Sequence, residues 1–448
     1  MEQKPGPYEK RNAICIINTF SKVFEAILHE RIYFFVKNSL SAAQHGFMRN
    51  KSTITNLSVF SDIVSKTLAE NGQTDSVYFD FRNAFDKVDH SLLYLKLLKS
   101  NIPLYLTLLL KSYLENRLQF VYLNSVNSFK YRSVSGVPQG SNLGPVLFNV
   151  FIDDIVEVVR NSHVLLYADD LKIFKHIKHL NDCLLLQSDI DSIVKWAHAN
   201  HMKLNSEKCS FVSFFKSFRS CYIDYAIEGF HLNTALQITD MGILFDHCLS
   251  FKPHIDMMVK SCFQSLGGVI RVSKNFKNVE TIKLLYNGLV RSRLEYGSII
   301  WNPIFKSYSG QVEMVQKRLL RYLYFKKHGC YPHFAKNRVR TRDLESEFDL
   351  LSLELRRQVA DSIFLFKIIN NMVDCSHLLG KLPFKYHTVS TRNPKTFEVV
   401  KFKNNIEKAS FVNRSILHFN TFPTDVDPFH FNLKSFKNFL VTFFEKNL

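Results

Sequence analysis

The segment VLLYADDLKIF (164–174) sets two short apolar runs on either side of Asp169 and Asp170. Each run is too short for a helix, so the pattern reads as a strand, a tight turn carrying two acids, and a second strand. Another short apolar run, SVYF (76–79), follows the polar NGQTD and closes on Asp80. Carboxylates in such places are costly, because adjacent acids repel and lose hydration unless a cation lies between them. Hard oxygen donors suit magnesium, which keeps several waters and binds one or two carboxylates together with substrate phosphates. Two such ions about 3.5–4 Å apart clamp the attacking and leaving oxygens of a phosphoryl transfer. Taken alone, Asp169 and Asp170 fit a polar hairpin turn at least as well, since Asp is common there.

Outward from these strands, Thr19 to Val36 places Phe20, Val23, Phe24, Ile27, Leu28 and Ile32 at helical spacing, with Lys22, Glu25 and Glu30 on the other face. Helical spacing returns from Thr55 to Ala69, in HSLLYLKLL and near LTLLLKSYL. The Gly- and Pro-rich GVPQGSNLGP leads into a predicted helix, VLFNVFIDDIVEVV, while QFVYLNSV, CSFVSFF and LQITDMGILFD read as strands. From Asp256 to about Met372 helices dominate, and beyond that Phe, Asn and Lys alternate without a period that places any element. Strands mixed with helices, then helices, predict an α/β or α+β body with a helical appendage.

The 448 residues hold 58 Lys and Arg against 40 Asp and Glu, a net charge of +18. That excess predicts attraction to a polyanion, nucleic acid first and an acidic membrane surface second. Codon bias is a rival source of some of the lysine, as 41 Phe against 15 Gly suggests. A hydrophobic share of 46% excludes bulk disorder, and the length calls for two or three domains. The eight cysteines include no C-x-x-C pair, which argues against a zinc site or a disulfide scaffold. No secretory signal or membrane span is visible, so a soluble, intracellular, nuclear or cytoplasmic protein is expected.

Six segments, in order, resemble motifs of reverse transcriptases, specifically those of non-LTR (LINE-type, jockey-like) retrotransposons. QHGFMRNKST (44–53) is similar to a fingers motif, YFDFRNAFDKVDH (78–90) to the first catalytic box, GVPQGSNLGPVLFNVFIDDI (136–155) to the second and YADD (167–170) to the third. HMKLNSEKC (201–209) and MGILFDHCLSFKPHI (241–255) match two downstream motifs. The resemblance implies an α+β right-hand polymerase fold, with palm and fingers followed by a helical thumb. It implies an RNA-directed DNA polymerase adding dNTPs to a primer 3′-hydroxyl, with an RNA template, a DNA primer and two Mg2+ ions. Asp80 and Asp169 would bind both ions, Asp170 would complete the triad, and the Phe81 carbonyl would be a further ligand. Phe85 matches a steric gate that rejects a ribose 2′-hydroxyl by clash, with core packing as its alternative. Gln139 approaches the nucleotide or template, and Gly140 permits close backbone approach, unless GVPQG is only a turn. Arg49 and Lys51 resemble cations that neutralise the triphosphate, and Lys208 the lysine that protonates the leaving pyrophosphate, against a plain surface role for each lysine. Asp86 and Asp89 read as structural, capping the helix that begins near His90.

Some positions depart from the family pattern. Arg11, Asn12 and Ala13 stand in place of the usual N-Y-R-P-I, and Asn83 stands where a Lys is frequent. No endonuclease or zinc knuckle is visible, so a partial or degenerate copy is expected. A remnant that only binds nucleic acid is the main rival, and a group II intron maturase-like protein fits less well. Between Glu313 and Arg342 lie Lys317, Arg318, Arg321, Lys326, Lys327, Lys336, Arg338, Arg340 and Arg342, interleaved with Tyr322, Tyr324, Phe325 and Tyr331. That mixture predicts a template-binding thumb surface, or else a solvated helix face over core aromatics. The expected domains are 1–255 for fingers and palm, 256–342 for a basic thumb-like region, and 343–448 for a C-terminal helical region.

Overall fold

Strands β1 (Gln73–Phe79), β2 (His163–Tyr167), β3 (Asp170–Ile177), β4 (Ser210–Phe214) and β5 (Asn233–Ala235) form one sheet in the order β5-β4-β1-β3-β2. They come from a computed structural model that describes residues 15–216, 221–332, 339–385, 396–398, 401–423, 426 and 428–446. Both β1 and β2 run antiparallel to β3, with Phe79 opposite Leu171 and Tyr167 opposite Asp170. This register carries Asp80 and the β2–β3 turn to the same end of the sheet. The described residues divide into two compact units, the first within 1–56, 73–213 and 218–235, the second within 57–72, 214–217 and 236–448.

In the first unit the helix Gly144–Ile152 is the centre of the core, and Val146 to Ile152 are all buried. Its sequence PVLFNVFI is apolar apart from Asn149, whose Nδ2 donates to the Gly46 carbonyl at 2.8 Å, so it suits a helix enclosed all round. Helices Thr19–Val36 and His90–Lys99 pack against it, and Leu180–Ala199 lies on β3. Asp89 caps His90–Lys99 by accepting from the Ser91 and Leu92 amides at 2.8 and 3.0 Å, as expected.

Two expectations need correction here. The predicted continuous helix VLFNVFIDDIVEVV ends at Ile152 and resumes at Ile155–Val158, because Asp153 and Asp154 are drawn away to other partners. The inward face of Thr19–Val36 is also different: Phe20, Val23, Phe24 and Ile27 are exposed, while Glu25 is only 2% exposed. Glu25 turns inward because its carboxylate accepts from the Tyr113 hydroxyl at 2.7 Å and the Asn142 amide at 2.9 Å. A buried, doubly bonded acid thus sets the rotation of a helix whose apolar residues surround it.

The second unit holds the antiparallel pair Gln237–Asp240 and Ile243–Asp246, then helices. Lys252–Val272 packs on Lys306–His328, and Leu353–Ile369 packs on Phe411–Phe419 and Leu433–Lys446. Phe366 stacks on Phe436 at 4.4 Å, and Phe419, Phe422 and Phe439 complete an aromatic core in the region where the sequence placed nothing. Among the described residues no helix is long and apolar enough to cross a membrane.

Candidate active site

Asp80 sits one residue beyond β1, half-buried, and its amide donates to Cys209 Sγ at 3.4 Å. Asn205 binds it twice: the Asn205 amide donates to the Asp80 carbonyl at 2.8 Å, and Asn205 Nδ2 to Oδ2 at 3.1 Å. Lys208 Nζ lies 3.6 Å from the same Oδ2 and is 69% exposed, so this contact adds little stability and leaves the ammonium at the solvent edge. Burial pushes the Cys209 thiol up to about 11, so it stays protonated at neutral pH. Phe81 continues the backbone from Asp80, buried, in a bridge with Leu204.

Asp169 and Ala168 form the β2–β3 turn, and Ala168 takes a left-handed φ of 56°. The motif QHGF clasps this turn. Gln44 is fully buried; its Oε1 accepts from the Ala168 amide at 3.0 Å and the Gly46 amide at 2.8 Å, while Nε2 donates to the Ala168 carbonyl at 3.4 Å. His45 N donates to the Leu166 carbonyl at 2.9 Å, and Asn56 Nδ2 donates to the same oxygen at 3.0 Å. A Cβ on Gly46 would stand 2.2 Å from the Ala168 nitrogen, so glycine is required for this approach. Burial, and the neighbouring Asp80 carboxylate, raise the Asp169 pKa above the ordinary range, while its own amide opposes the shift. Asp170 opens β3 and is exposed.

Phe85 lies on the short turn Ala84–Lys87, half-buried, stacked on Phe148 at 4.3 Å and edge-on to Phe47 at 6.3 Å. Asn83, just before it, takes a φ of 51°, a conformation Asn tolerates better than Lys. The second box runs beside this turn, with the Val137 amide donating to the Phe85 carbonyl at 2.9 Å. Gln139 is half-buried, and its carbonyl accepts from the Cys15 amide at 2.8 Å; Gly140 is exposed with a φ of 97°.

The two fingers cations have local partners. Arg49 pairs with Glu30 and lies over the Tyr33 ring at 4.8 Å. Lys51 Nζ donates to the carbonyls of Ala42 and Gln44 at 2.9 and 3.2 Å, which braces the QHGF loop. Within this motif the clasp is made by Gln44 and Gly46, which neither charge nor spacing marks in the sequence. Asn205, three residues before Lys208, is likewise unmarked. Arg11, Asn12 and Ala13 lie outside the described residues.

The carboxylates and a main-chain carbonyl are hard oxygen donors, the set a magnesium ion prefers. Among the described residues no three His, Cys, Asp or Glu side chains converge closely enough to hold a metal ion. Magnesium needs fewer when substrate phosphates complete its shell, so the donors fit that ion.

In the second unit, the helix Lys306–His328 carries Lys317, Arg318, Arg321, Lys326 and Lys327. Arg318, Arg321 and Lys327 are exposed, Lys326 reaches the Lys274 carbonyl at 2.7 Å, and Lys327 pairs with Glu347 at 2.9 Å. Tyr322 is buried, with its hydroxyl 3.1 Å from Ser273 Oγ, so it belongs to the core and offers no stacking face. Phe325 and Tyr331 do stack on one another at 4.8 Å, both partly exposed. Lys336 and Arg338 lie outside the described residues.

Residues 3–270 match the family model described as reverse transcriptase (RNA-dependent DNA polymerase), and the chain belongs to that family, with its polymerase fold. It is 26% identical over 362 residues to "Probable RNA-directed DNA polymerase from transposon BS" of Drosophila melanogaster, covering 77% of this chain and 39% of that protein. It is also 26% identical to the RNA-directed DNA polymerase from mobile element jockey of Drosophila melanogaster, covering 78% of this chain and 38% of that protein. The chain therefore spans about two-fifths of the length of these relatives. Among solved structures, telomerase from Candida tropicalis in complex with a TWJ fragment of telomeric RNA aligns with a TM-score of 0.38 at 10% identity, covering 69% of this chain and 56% of that one.

Proposed function

We propose that this chain is an RNA-directed DNA polymerase of a non-LTR retrotransposon, extending a primer 3′-hydroxyl with dNTPs on an RNA template. One observation carries the reading: strand register brings Asp80 and the Asp169-Asp170 turn to one sheet end, where burial and the Asp80 charge already disfavour ionised Asp169. A divalent cation relieves that repulsion, and two magnesium ions would supply charge stabilisation at the attacking and leaving oxygens. Asp80, Asp169, Asp170 and the Phe81 carbonyl would hold them. Asn205 and the Gln44 clasp fix the carboxylates in place, so little reorganisation accompanies reaction. Lys208, exposed at the edge of Asp80, would give its proton to the leaving pyrophosphate. Phe85, held flat by Phe148, would exclude a 2′-hydroxyl, while Gln139 and Gly140 line the nucleotide's approach and Arg49 and Lys51 lie upstream of it. Residues 1–255 are read as fingers and palm, 256–342 as a thumb, and 343–448 as a further helical region, with Lys317, Arg318, Arg321, Lys326 and Lys327 on the template strand.

The test is extension of oligo(dT) on poly(rA) with dTTP and magnesium. Product that depends on template and metal supports the reading. Binding of the duplex without any extension supports instead a chain that only binds nucleic acid.

A further inference from the structure

We infer that Glu25 is a positioning residue for the incoming nucleotide, acting through the loop that carries Gln139 and Gly140. The inference rests on the polymerase reading above, in which that loop lines the nucleotide's approach. All the residues involved lie in the first unit.

The loop is held at both ends. Upstream, the Val137 amide donates to the Phe85 carbonyl at 2.9 Å. Downstream, the Asn142 amide donates to Glu25 Oε2 at 2.9 Å and Asn142 Nδ2 to the Lys22 carbonyl at 3.0 Å, so two bonds tie the loop to the helix Thr19–Val36. Between these points the chain folds back on the helix it precedes: the Ser141 amide donates to the Pro138 carbonyl at 3.3 Å, and Ser141 Oγ accepts from the Gly144 amide at 2.7 Å. A Cβ on Gly144 would stand 2.5 Å from the Pro138 oxygen, so the turn is tightly wound. Within it Gln139 is half-buried and Gly140 exposed, and both are placed only as well as the two anchors.

Glu25 is the stronger downstream anchor. It is 2% exposed, and its two oxygens serve different elements: Oε1 accepts from the Tyr113 hydroxyl, on the helix Leu104–Leu114, at 2.7 Å, while Oε2 takes the loop. Burial, and the bond to Glu25, raise the Tyr113 pKa, so that hydroxyl remains a donor. Hydrogen bonds to a carboxylate are shorter and roughly twice as strong as neutral ones. The helix Gly144–Ile152 begins two residues beyond Asn142 with Leu143 as its N-cap, a side chain that accepts nothing, and its dipole favours an acid at that end. A residue that only filled space under Thr19–Val36 would be apolar, like the buried Leu28 and Ile32 on the same helix. What the acid holds explains why it is there.

The test is incorporation of dTTP on poly(rA)/oligo(dT) with magnesium by the full chain and three variants. Glu25→Met fills similar space without an acceptor, and replacing a buried charge by an apolar side chain of like volume is compatible with folding. It should raise KM for dTTP about tenfold and change KM for the duplex less than about twofold. Glu25→Gln keeps an oxygen for the Asn142 amide and should restore the dTTP KM to within about threefold of the parent. Tyr113→Phe removes one bond to the carboxylate, keeps the ring and should fall between them. Amide hydrogen exchange over residues 138–143, which needs no catalysis, should be faster in Glu25→Met and parent-like in Glu25→Gln. An unchanged dTTP KM or unchanged exchange in Glu25→Met, or in Tyr113→Phe should the first variant not fold, overturns the inference and leaves the polymerase reading standing. Equal rises in both KM values also overturn it, because they mark a general loosening. No extension by the parent removes the polymerase reading, and the inference with it.

Discussion

The first unit contains two pairs of adjacent aspartates, Asp153-Asp154 and Asp169-Asp170, and the protein treats them differently. At the first pair, Asp153 accepts from the Ser41 amide at 2.8 Å, and Asp154 accepts from Lys96 Nζ at 2.7 Å and from Trp196 Nε1 at 2.9 Å. Lys96 is itself held over the Phe151 and Trp196 rings. Each acid there has a donor from another element. At the second pair, the structure braces the backbone around the acids while Asp169 has its own amide and the repelling Asp80. Adjacent acids in sequence thus either rest on donors from other elements, as Asp153 and Asp154 do, or, under the proposed reading, face a cation.

The largest effect should come from removing charge at each pair in turn. Asp80→Asn should lower the extension rate by about a thousandfold, whereas Asp154→Asn keeps its acceptor oxygen and should change the rate less than about threefold. Comparable losses in a single-turnover assay would erase the distinction between the two pairs. Next in size is Gly46→Ala, which drives a methyl into the Ala168 backbone and should cost about 2–3 kcal/mol in urea unfolding. A neutral result would mean that the clasp on the acidic turn is dispensable.

Lys96→Met removes the cation from Asp154 while keeping much of the packing volume. Because Asp154 is partly exposed, the cost should be about 1–2 kcal/mol, read from the same unfolding experiment. The smallest effect concerns Asp153, whose pKa burial raises from 3.8 to about 6, with Asp154 and Glu157 adding to the rise. Its folded pKa lies above its unfolded one, so ionisation is disfavoured in the fold. The Asp153 contribution to stability is therefore most favourable below about pH 4 and is lost as pH rises through about 6. Asp153→Asn should therefore gain about 1 kcal/mol at pH 7 and flatten that part of the profile, since an amide oxygen still accepts from Ser41. An unchanged profile would show that Asp153 is not the titrating group.

The strands that carry the acids were legible because short apolar runs bounded by polar residues admit few other readings, and Asp80, Asp169 and Asp170 fall at their ends. The neighbours that hold them were not. Gln44 and Asn205 act from 124 or more residues away in sequence, through hydrogen bonds to main chain and carboxylate that no periodicity records. Thr19–Val36 misled because it has apolar residues on two faces, and one bonded acid, Glu25, decides which faces inward. In the C-terminal region Phe436, Leu440 and Phe444 do recur at helical spacing, but the rings they meet, Phe366 and Phe419, lie far back in the chain.

The most direct test of the central claim, that Asp169 sits in a cation site for phosphoryl transfer, is the magnesium-dependent extension rate of preformed primer–template complex by the parent chain and by Asp169→Asn. The account predicts template-dependent extension by the parent, a loss of about a thousandfold in the variant, and unchanged affinity for the duplex. Equal extension by both chains, or none by the parent, would contradict it.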